Sequence, residues 1–396
     1  MRILVATGEW FPDSKSGFAR VVTDTSRLLA SRGHEVTVLA PRLEQATIDQ
    51  HDGLDVRRIL ARRWPKTLTD VVEVARHTAA LRSMRFDVVV AHSPPTAVGV
   101  TAAQHAPPLD VVYHASGLRE LRFLRSRLPV GRERMVTYLR EPPLALLARI
   151  AAHSATRTLV LSEFAQSIFL AEHPKEGHRV RRVSGGVDVN WFSPGDGISA
   201  ARARLGLRDQ ARRDQASLLL TARRFVPRMG LDELLHAVAE LRASLDIRLA
   251  LVGGGMLDAK LRRLCADLGL SKDVLFVGTV PDAELRDWYR AADLFVLPTV
   301  ADEGFGMVTA EALASGTPVV GTPVGATPEL LTPLDSRLVA EGADPAALAA
   351  AIRGALALAT SEFGRRCRQY ACARLGWDKV IPAWEQALSE AVNDSP

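Results

Sequence analysis

The residues whose types and spacing most suggest chemistry lie in the segment 302–331, DEGFGMVTAEALASGTPVVGTPVGATPELL. Glu303 and Glu311 are eight residues apart, and a glycine-rich turn follows the first of them. Such a turn at a helix N-terminus leaves backbone N–H groups free to bind an anion, usually phosphate. A carboxylate can accept hydrogen bonds from two neighbouring sugar hydroxyls. The segment therefore indicates a pocket for a molecule that carries both phosphates and sugars.

Predicted secondary structure around this segment would bring the two glutamates together. The apolar run Asp293–Pro298 predicts a strand, Met307–Ser315 predicts a helix, and Gly316 is a suitable residue to end that helix. On one continuous helix the two carboxylates would lie about 80° apart. They converge better if Glu303 lies in the loop and Glu311 on the helix behind it. Taken alone, a helical glutamate is more often an exposed residue without a special role.

Several motifs resemble those of one enzyme family. The two glutamates, with GFG after the first and GTPVV after the second, resemble the E-x7-E segment of the retaining family 4 glycosyltransferases. RGHEV at 32–36, LSEF at 161–164 and GVDVNWFSP at 186–194 resemble further signatures of that family. The resemblance implies an α/β protein of the GT-B fold, in which two Rossmann-like domains face each other across a cleft. It also implies a nucleoside-diphosphate sugar as the donor substrate.

The resemblance assigns roles within the segment. It implies that Glu311 holds the ribose of the donor and that Glu303 holds the hydroxyls of the donor sugar. Backbone amides of the turn would bind the diphosphate, and these belong to Phe305, Gly306, Met307 and Val308. It further implies front-face attack, in which the leaving phosphate accepts the proton of the acceptor hydroxyl. No protein nucleophile is then expected, and the lack of an Asp-x-Asp pair indicates no metal-bridged diphosphate.

A group of arginines in the second half is the predicted source of positive charge for the diphosphate. Arg224 follows a predicted strand, 217–221, and a guanidinium stays charged and can bind two oxygens. The resembled family has a lysine five residues later, where this chain has Met229. We expect Arg228 to replace that lysine, and Arg223 is a further candidate.

The N-terminal half supplies two more predicted site residues. A strand at 2–6, a loop and a helix place Gly17 at a helix start, where phosphate or sugar can approach the backbone. The resembled family usually has two glycines here, whereas this chain has Phe18 after Gly17. His114 ends a predicted strand, 110–114, at the edge where open α/β sheets bind ligands. The resemblance implies that His114 contacts the donor.

Composition sets broader limits. A length of 396 residues predicts two domains, which we place at 1–195 for the acceptor and 196–375 for the donor. A helix at 376–396 is expected to return to the first domain. Three cysteines without disulfide or zinc spacing indicate a reducing, cytoplasmic location. No uncharged apolar run reaches membrane-spanning length, and the N-terminus predicts a strand and not a signal peptide.

Positive charge is concentrated in the first half. Residues 1–195 contain 27 Lys and Arg against 19 Asp and Glu, whereas residues 196–396 contain 23 against 26. Arginines and apolar residues alternate over 118–149 without a regular apolar face. This stretch could contact an anionic membrane surface, hold a phosphorylated acceptor, or form a solvated helix pair. Peripheral attachment to the inner face of a membrane is therefore one expectation.

The predicted function is metal-independent glycosyl transfer, with retention, from a UDP- or GDP-type sugar to an acceptor hydroxyl. Two alternatives remain open. An epimerase acting on nucleotide sugars would share the fold, and a subunit that binds such sugars without catalysis would account for Met229. The sequence leaves the nucleotide base, the sugar and the acceptor unassigned, with soluble and lipid-linked acceptors both open.

Overall fold

The computed structural model describes residues 1–42, 50–51, 54–61, 66–103, 108–114, 116–127, 132–207 and 216–393. These residues form two compact units. Unit 1 comprises Met1–Gly185 together with the C-terminal segment from Val380, and unit 2 comprises Gly186–Lys379. The chain therefore passes between the units at 185/186 and 379/380, where the sequence-based boundaries were 195/196 and 375/376.

Unit 1 contains a sheet of eight strands, seven of which run parallel. The strands are β1 (Arg2–Ala6), β2 (Glu35–Arg42), β3 (Gln50–His51), β4 (Leu54–Ala61), β5 (Val88–Ala91), β6 (Leu109–Val112), β7 (Arg157–Val160) and β8 (Val180–Arg182). Their order is β3-β4-β2-β1-β5-β6-β7-β8, and only the short β3 is antiparallel to its neighbour. The central strands β1 and β5 are apolar and buried apart from Arg2, because both faces of a parallel sheet are covered by helices.

The helices of unit 1 connect these parallel strands. They are α1 (Gly17–Ser31), α2 (Lys66–Ala80), α3 (Pro94–Ala102), α4 (Ser116–Arg127), α5 (Arg132–Ser154) and α6 (Glu163–Glu172). Ser16, Ser93 and Ser162 cap α1, α3 and α6 by accepting a hydrogen bond from a backbone N–H of the first turn. Helices α3 and α6 start just after the ends of β5 and β7, whereas a longer loop separates the end of β1 from the start of α1.

Unit 2 contains a parallel sheet of five strands. They are β9 (Ser217–Ala222), β10 (Ile247–Val252), β11 (Val274–Gly278), β12 (Leu294–Leu297) and β13 (Val319–Gly321). Their order, β11-β10-β9-β12-β13, reverses at β9. The helices are α7 (Ile198–Arg204), α8 (Leu231–Leu241), α9 (Asp258–Asp267), α10 (Asp282–Ala291), α11 (Met307–Ala314), α12 (Thr327–Leu331), α13 (Pro345–Leu358) and α14 (Ser361–Arg374). The last helix, α15 (Trp377–Asn393), begins in unit 2 and belongs to unit 1 from Val380 onward.

Both units thus have the strand order of a Rossmann-like fold, as the sequence predicted. In such sheets ligands bind beyond the carboxyl ends of the strands, where the order reverses. In unit 1 that point lies between β1 and β5, and in unit 2 it lies between β9 and β12. The loops that leave β9 and β12 contain Arg223, Arg224 and Glu303.

Packing explains why unit 2 begins at Gly186. The ring of Phe192 packs edge-on against Tyr289, and the backbone carbonyl of Ser193 accepts a hydrogen bond from Arg290 Nε at 2.6 Å. These contacts join the segment 186–194 to unit 2. After Lys379, helix α15 continues into unit 1, where the indole of Trp384 donates to the carbonyl of Ser184 at 2.9 Å.

No single helix in the described part of the chain is both long enough and apolar enough to cross a bilayer. The pair α13 and α14, which meet at an angle of 102°, has the required length and composition only when the two are taken together.

Candidate functional site

The loop that carries Glu303 is held in one conformation by glycines. It starts after β12, passes Asp302 with a φ of +56°, and enters α11 through Gly306, whose φ is +90°. A Cβ on Gly325 would lie 2.2 Å from the carbonyl oxygen of Glu303, so only glycine fits beside this backbone. The same carbonyl accepts a hydrogen bond from the N–H of Ala326 at 2.8 Å. The carboxylate of Glu303 is therefore attached to a rigid segment.

Glu303 forms a buried ion pair with Arg223. Arg223 Nη2 donates to Glu303 Oε2 at 2.5 Å, and the hydroxyl of Thr299 donates to the same oxygen at 3.0 Å. Only 8% of Glu303 is exposed. Burial alone would raise the pKa of Glu303, but the charge and hydrogen bond of Arg223 outweigh it, so that the pKa lies below its ordinary value. Glu303 is therefore ionised at neutral pH.

Arg223 is in turn positioned by a second glycine-rich loop. Its N–H continues the β9–β10 pairing by donating to the carbonyl of Val252 at 2.9 Å. A Cβ on Gly253, whose φ is +128°, would lie 1.9 Å from the carbonyl oxygen of Arg223. Close contact between the two loops thus depends on Gly253. Burial lowers the pKa of the Arg223 guanidinium while Glu303 opposes that shift, and the group keeps its charge at neutral pH.

The other predicted cations occupy different environments. Arg224 is exposed just beyond β9. Arg228 is buried, and its Nη1 donates to the carbonyl of Asp302 at 3.1 Å. Asp302 directly precedes Glu303 in the chain. The charge of Arg228 also acts on the pKa of Glu303. Met229, at the position of the lysine in the resembled family, is buried and brings no charge.

Glu311 lies on α11 with its carboxylate buried, which differs from the exposed glutamate that a helical position usually has. It is 3% exposed, and its Oε2 accepts a hydrogen bond from the hydroxyl of Tyr289 at 2.8 Å. Tyr289 is itself fully buried on α10, and its carbonyl accepts a hydrogen bond from the hydroxyl of Thr317 at 2.6 Å. The structure thus places Glu303 in the loop and Glu311 on the helix.

The N-terminus of α11 has the properties of an anion site. Gly306 precedes the helix and supplies no capping side chain, and no acidic residue occupies the first turn. The first backbone N–H groups, which include those of Met307 and Val308, carry the positive end of the helix dipole. The buried hydroxyl of Thr309, in the same turn, has no hydrogen-bond partner within the described ranges. Phe305 is buried just before this turn.

A second cluster lies in unit 1. Gly17 is the first residue of α1, and the ring of Phe18 packs edge-on against His114 with centroids 4.3 Å apart. Nε2 of His114 and Nδ1 of the neighbouring His92 are buried and lack a partner in the part of the chain that the structure describes. Desolvation lowers the pKa of His114 to about 3, and it lowers that of His92 as well. Both rings are therefore uncharged at neutral pH.

Arg223 was predicted only as a further candidate, and Thr299 and Tyr289 were not predicted from the sequence. Arg223 and Arg224 are adjacent at the end of a strand, where successive side chains point to opposite sides. Composition alone could not decide which of the two reaches Glu303. Because both arginines directly follow a predicted strand, the sequence did indicate that one of them could reach Glu303. Tyr289 gave no signal because its partner, Glu311, lies 22 positions away in the chain. Thr299 is only four positions from Glu303, but a lone threonine at the end of a strand does not stand out from other threonines.

Two family models cover most of the chain. The Glycosyltransferase Family 4 model matches residues 15–191, and the Glycosyl transferases group 1 model matches residues 207–374. A D-inositol 3-phosphate glycosyltransferase of Catenulispora acidiphila is 33% identical over 84% of this chain and 80% of that protein. The chain belongs to the family 4 glycosyltransferases. The prediction made from the two glutamates and the accompanying motifs is confirmed.

Further relatives agree with this assignment. A D-inositol 3-phosphate glycosyltransferase of Frankia alni is 32% identical over 93% of this chain and 94% of that protein. A second Catenulispora acidiphila protein of the same name is 37% identical, but the match spans only about half of that relative, 52%. These matches support a glycosyltransferase.

Solved structures confirm the predicted GT-B fold. Sucrose-phosphate synthase from Thermosynechococcus elongatus superposes with a TM-score of 0.80 at 21% identity, and each chain is covered completely. Anabaena HepE in complex with UDP and glucose has a TM-score of 0.75 at 20% identity, over 98% of this chain and 99% of that one. At these identities the likeness concerns the fold alone.

Proposed function

We propose that this family 4 glycosyltransferase moves a sugar from a UDP- or GDP-type donor to an acceptor hydroxyl, with retention of configuration and without a metal. The observation that carries the proposal is the buried, ionised Glu303. It is held by Arg223 in the loop that leads into the N-terminus of α11. A fixed carboxylate next to a helix N-terminus can bind sugar hydroxyls and phosphate at neighbouring positions.

Glu303 is assigned to the donor sugar. Because its carboxylate is ionised, it can only accept hydrogen bonds, which is what neighbouring sugar hydroxyls require. Arg223 and Thr299 both bind Oε2 and so fix the orientation of the carboxylate. We treat Arg223 as a positioning residue, because its described contacts are with Glu303 and Thr299. No nucleophilic role is assigned to Glu303.

The diphosphate is assigned to the start of α11 and to the arginines after β9. Amides of Met307 and Val308 and the helix dipole supply preorganised positive potential. Arg224, exposed at the strand end, is the residue assigned to bind phosphate oxygens directly. Arg228 adds charge beneath the loop, since its guanidinium is buried against the carbonyl of Asp302. Charge on the leaving diphosphate would be stabilised in this way as the glycosidic bond breaks.

Glu311 is assigned to the ribose hydroxyls of the donor. The hydrogen bond from Tyr289 orients its carboxylate, and a carboxylate accepts several hydrogen bonds at once. In unit 1, Gly17 and the uncharged His114 are assigned to the donor. The imidazole of His114 can offer a hydrogen bond there without adding a charge.

The acceptor is proposed to be a phosphorylated polyol. Relatives that align over most of this chain are named D-inositol 3-phosphate glycosyltransferases. Inositol 3-phosphate is therefore the first acceptor to assay. The identities of 32–33% support the choice of compound class and not the individual molecule.

The experiment has two stages. Thermal-shift measurements with UDP, GDP, ADP and dTDP would first identify the base, because a ligand that binds only the native state raises the melting temperature. Turnover of the corresponding sugar nucleotides with inositol 3-phosphate would then be followed in EDTA, with the anomeric configuration of the product read by NMR. Glycoside formation with the anomeric configuration of the donor is expected. An inverted product, or a strict need for added metal, would contradict the proposed mechanism.

One observation favours a second candidate, a subunit that binds a nucleotide sugar without catalysis. Met229 removes the cation found at this position in the resembled family, and it is buried. Nucleotide-dependent stabilisation without turnover on any sugar nucleotide, with or without acceptor, would favour this candidate. An epimerised sugar nucleotide formed in the absence of acceptor would instead favour the epimerase alternative.

A further inference from the structure

Helix α5 of unit 1 presents apolar side chains outward. Four of them are strongly or partly exposed, at 61% for Met135, 67% for Leu139, 59% for Leu146 and 36% for Ile150. Successive residues on a helix are rotated by about 100°, so these four fall within about 60° of arc. We call them the α5 row. Pro142 lies on the same face and is also exposed.

The inward face of α5 packs against the hydrophobic interior of unit 1. Leu147, Ala148, Ala151 and Ala152 are all buried there. Ala151 and Ala152 belong to hydrophobic clusters of unit 1. A surface helix usually places polar residues opposite such a face. Apolar residues on both faces indicate that the outward face is covered by a partner.

Arginines surround the α5 row. Helices α4 and α5 together contain eight arginines and three glutamates, an excess of five positive charges. This equals the formal net charge of the whole chain, so the remainder is neutral by the same count. Arg134 and Arg149 of α5 are both exposed. Arg125 stacks over the ring of Tyr138, which is 61% exposed beside the row.

One of the glutamates is already neutralised within the helix pair. Glu141 accepts hydrogen bonds from Arg122 at 2.7 Å and from Arg125 at 2.6 Å. The two helices therefore carry an excess of positive charge, and the carboxylate of Glu141 is already paired with two of their arginines. The positive charge of the two helices favours an anionic partner for the α5 row. A second copy of the chain would bring two positive surfaces together, which like-charge repulsion disfavours.

We propose that the α5 row and the arginines of α4 and α5 form a docking surface for an anionic lipid bilayer. An apolar helical stripe flanked by arginines binds at the headgroup boundary, where the apolar side chains enter and the arginines meet anionic headgroups. The sequence left this stretch open among a membrane surface, an acceptor site and a solvated helix pair. The outward apolar face distinguishes the first possibility, because neither a soluble phosphorylated acceptor nor solvent requires exposed leucines. Lipid binding of this kind is independent of the proposed transfer reaction.

Vesicle co-sedimentation with the full chain tests the proposal. The wild-type chain is expected to bind vesicles of phosphatidylcholine mixed with phosphatidylglycerol and to bind pure phosphatidylcholine weakly. Added salt should weaken the binding through screening. Replacement of Leu139, Leu146 and Ile150 by serine is expected to weaken binding about tenfold or more, since apolar burial is lost. The control replaces Val72 and Met256 by serine. These residues are 61% and 57% exposed but lie outside α4 and α5, so this variant should bind like wild type.

Charge is tested separately. The pair Arg134→Gln and Arg149→Gln should weaken binding to anionic vesicles roughly 30-fold, because each arginine near such a surface contributes about fivefold. The pair Arg353→Gln and Arg365→Gln makes the same change of charge at exposed positions of unit 2 and should have no effect. Circular dichroism would establish that each variant is folded.

Three outcomes would overturn the proposal. One is no binding to either kind of vesicle by the folded wild-type chain. Another is equal binding by the serine variant of the α5 row and by its control. The third is a dimer or a complex with an acidic protein that disappears in the serine variant while vesicle binding persists. Because vesicle binding needs no turnover, it can succeed or fail independently of the assays for glycosyl transfer.

Discussion

The two clusters of predicted site residues lie after parallel strands in both units, yet their electrostatics are opposite. In unit 2, Glu303 and Arg223 are buried as charged groups that satisfy each other. In unit 1, His92 and His114 are buried as uncharged rings beside Phe18. Both clusters thus avoid an unpaired buried charge, one by pairing and the other by loss of the proton. The comparison shows that the paired buried charges belong to unit 2, whereas the buried rings of unit 1 carry no charge.

Loss of the Arg223 charge should have the largest effect. Arg223→Met leaves the Glu303 carboxylate buried without its partner, which should lower the free energy of unfolding by about 3–5 kcal/mol. Arg224→Met is the matched control one residue away, and because Arg224 is exposed its unfolding free energy should change by no more than about 0.5 kcal/mol. Urea unfolding of both variants would measure these changes in the free energy of unfolding. Equal effects would show that the pair does not hold the unit 2 cluster together.

The second-largest effect is expected for loss of the Glu303 charge, and it is an effect on activity. Glu303→Gln keeps the shape but leaves Arg223 without its counter-charge and weakens binding of the donor sugar. We expect kcat/KM to fall by about 10²–10³, as for loss of one preorganised group. Glu362→Gln, an exposed carboxamide substitution on α14, serves as the control. Retained activity in a folded Glu303→Gln protein would remove the central residue of the proposed site.

The acid dependence of stability should separate the two clusters. The pKa of Glu303 lies below its ordinary value, so its stabilising contribution is present above that ordinary value and is lost as pH falls through the folded-state pKa. The pKa of His114 falls from 6.5 to about 3, so the unfolded chain binds the extra proton between those values. Stability contributed by the neutral ring is therefore lost as pH falls from about 6.5 to about 3.

Paired unfolding curves at several pH values would measure this difference. His114→Leu should flatten the dependence between pH 6.5 and 3, whereas Glu303→Gln should flatten it only below the ordinary glutamate pKa. Taking the difference between each variant and wild type removes the contribution of other titrating groups to the pH dependence. One such group is Asp110, because burial raises the pKa of Asp110 to about 8. Identical slopes for wild type and His114→Leu would contradict the uncharged assignment.

The smallest predicted effect concerns Glu311. Tyr289→Phe removes one hydrogen bond to a buried carboxylate and should lower the unfolding free energy by about 1.5–3 kcal/mol. If Glu311 holds the donor ribose, KM for the donor should rise more than kcat falls, because the chemistry is elsewhere. Phe295→Leu, which alters packing against the same tyrosine, is the control for packing alone. A change confined to kcat would contradict the ribose assignment.

Local patterns in the sequence determined the layered fold and the family. The predicted strands at 2–6 and 217–221 ended within a residue of the observed strands, because each buried strand needs a continuous apolar run. The Glu303 to Val308 segment was also evident, because its glycines and glutamates are close in the chain. The position of the boundary between units was less accessible, since it depends on Phe192 packing against a distant tyrosine.

Only the tertiary structure decided three matters. It determined that Arg223, and not Arg224, pairs with Glu303, because the direction of adjacent side chains depends on how loops from β9 and β12 meet. It buried Glu311 beneath Tyr289, a contact between residues 22 positions apart. It also turned the apolar residues of α5 outward. Sequence spacing alone does not determine which face of a helix is covered, because that depends on the neighbours that pack against it.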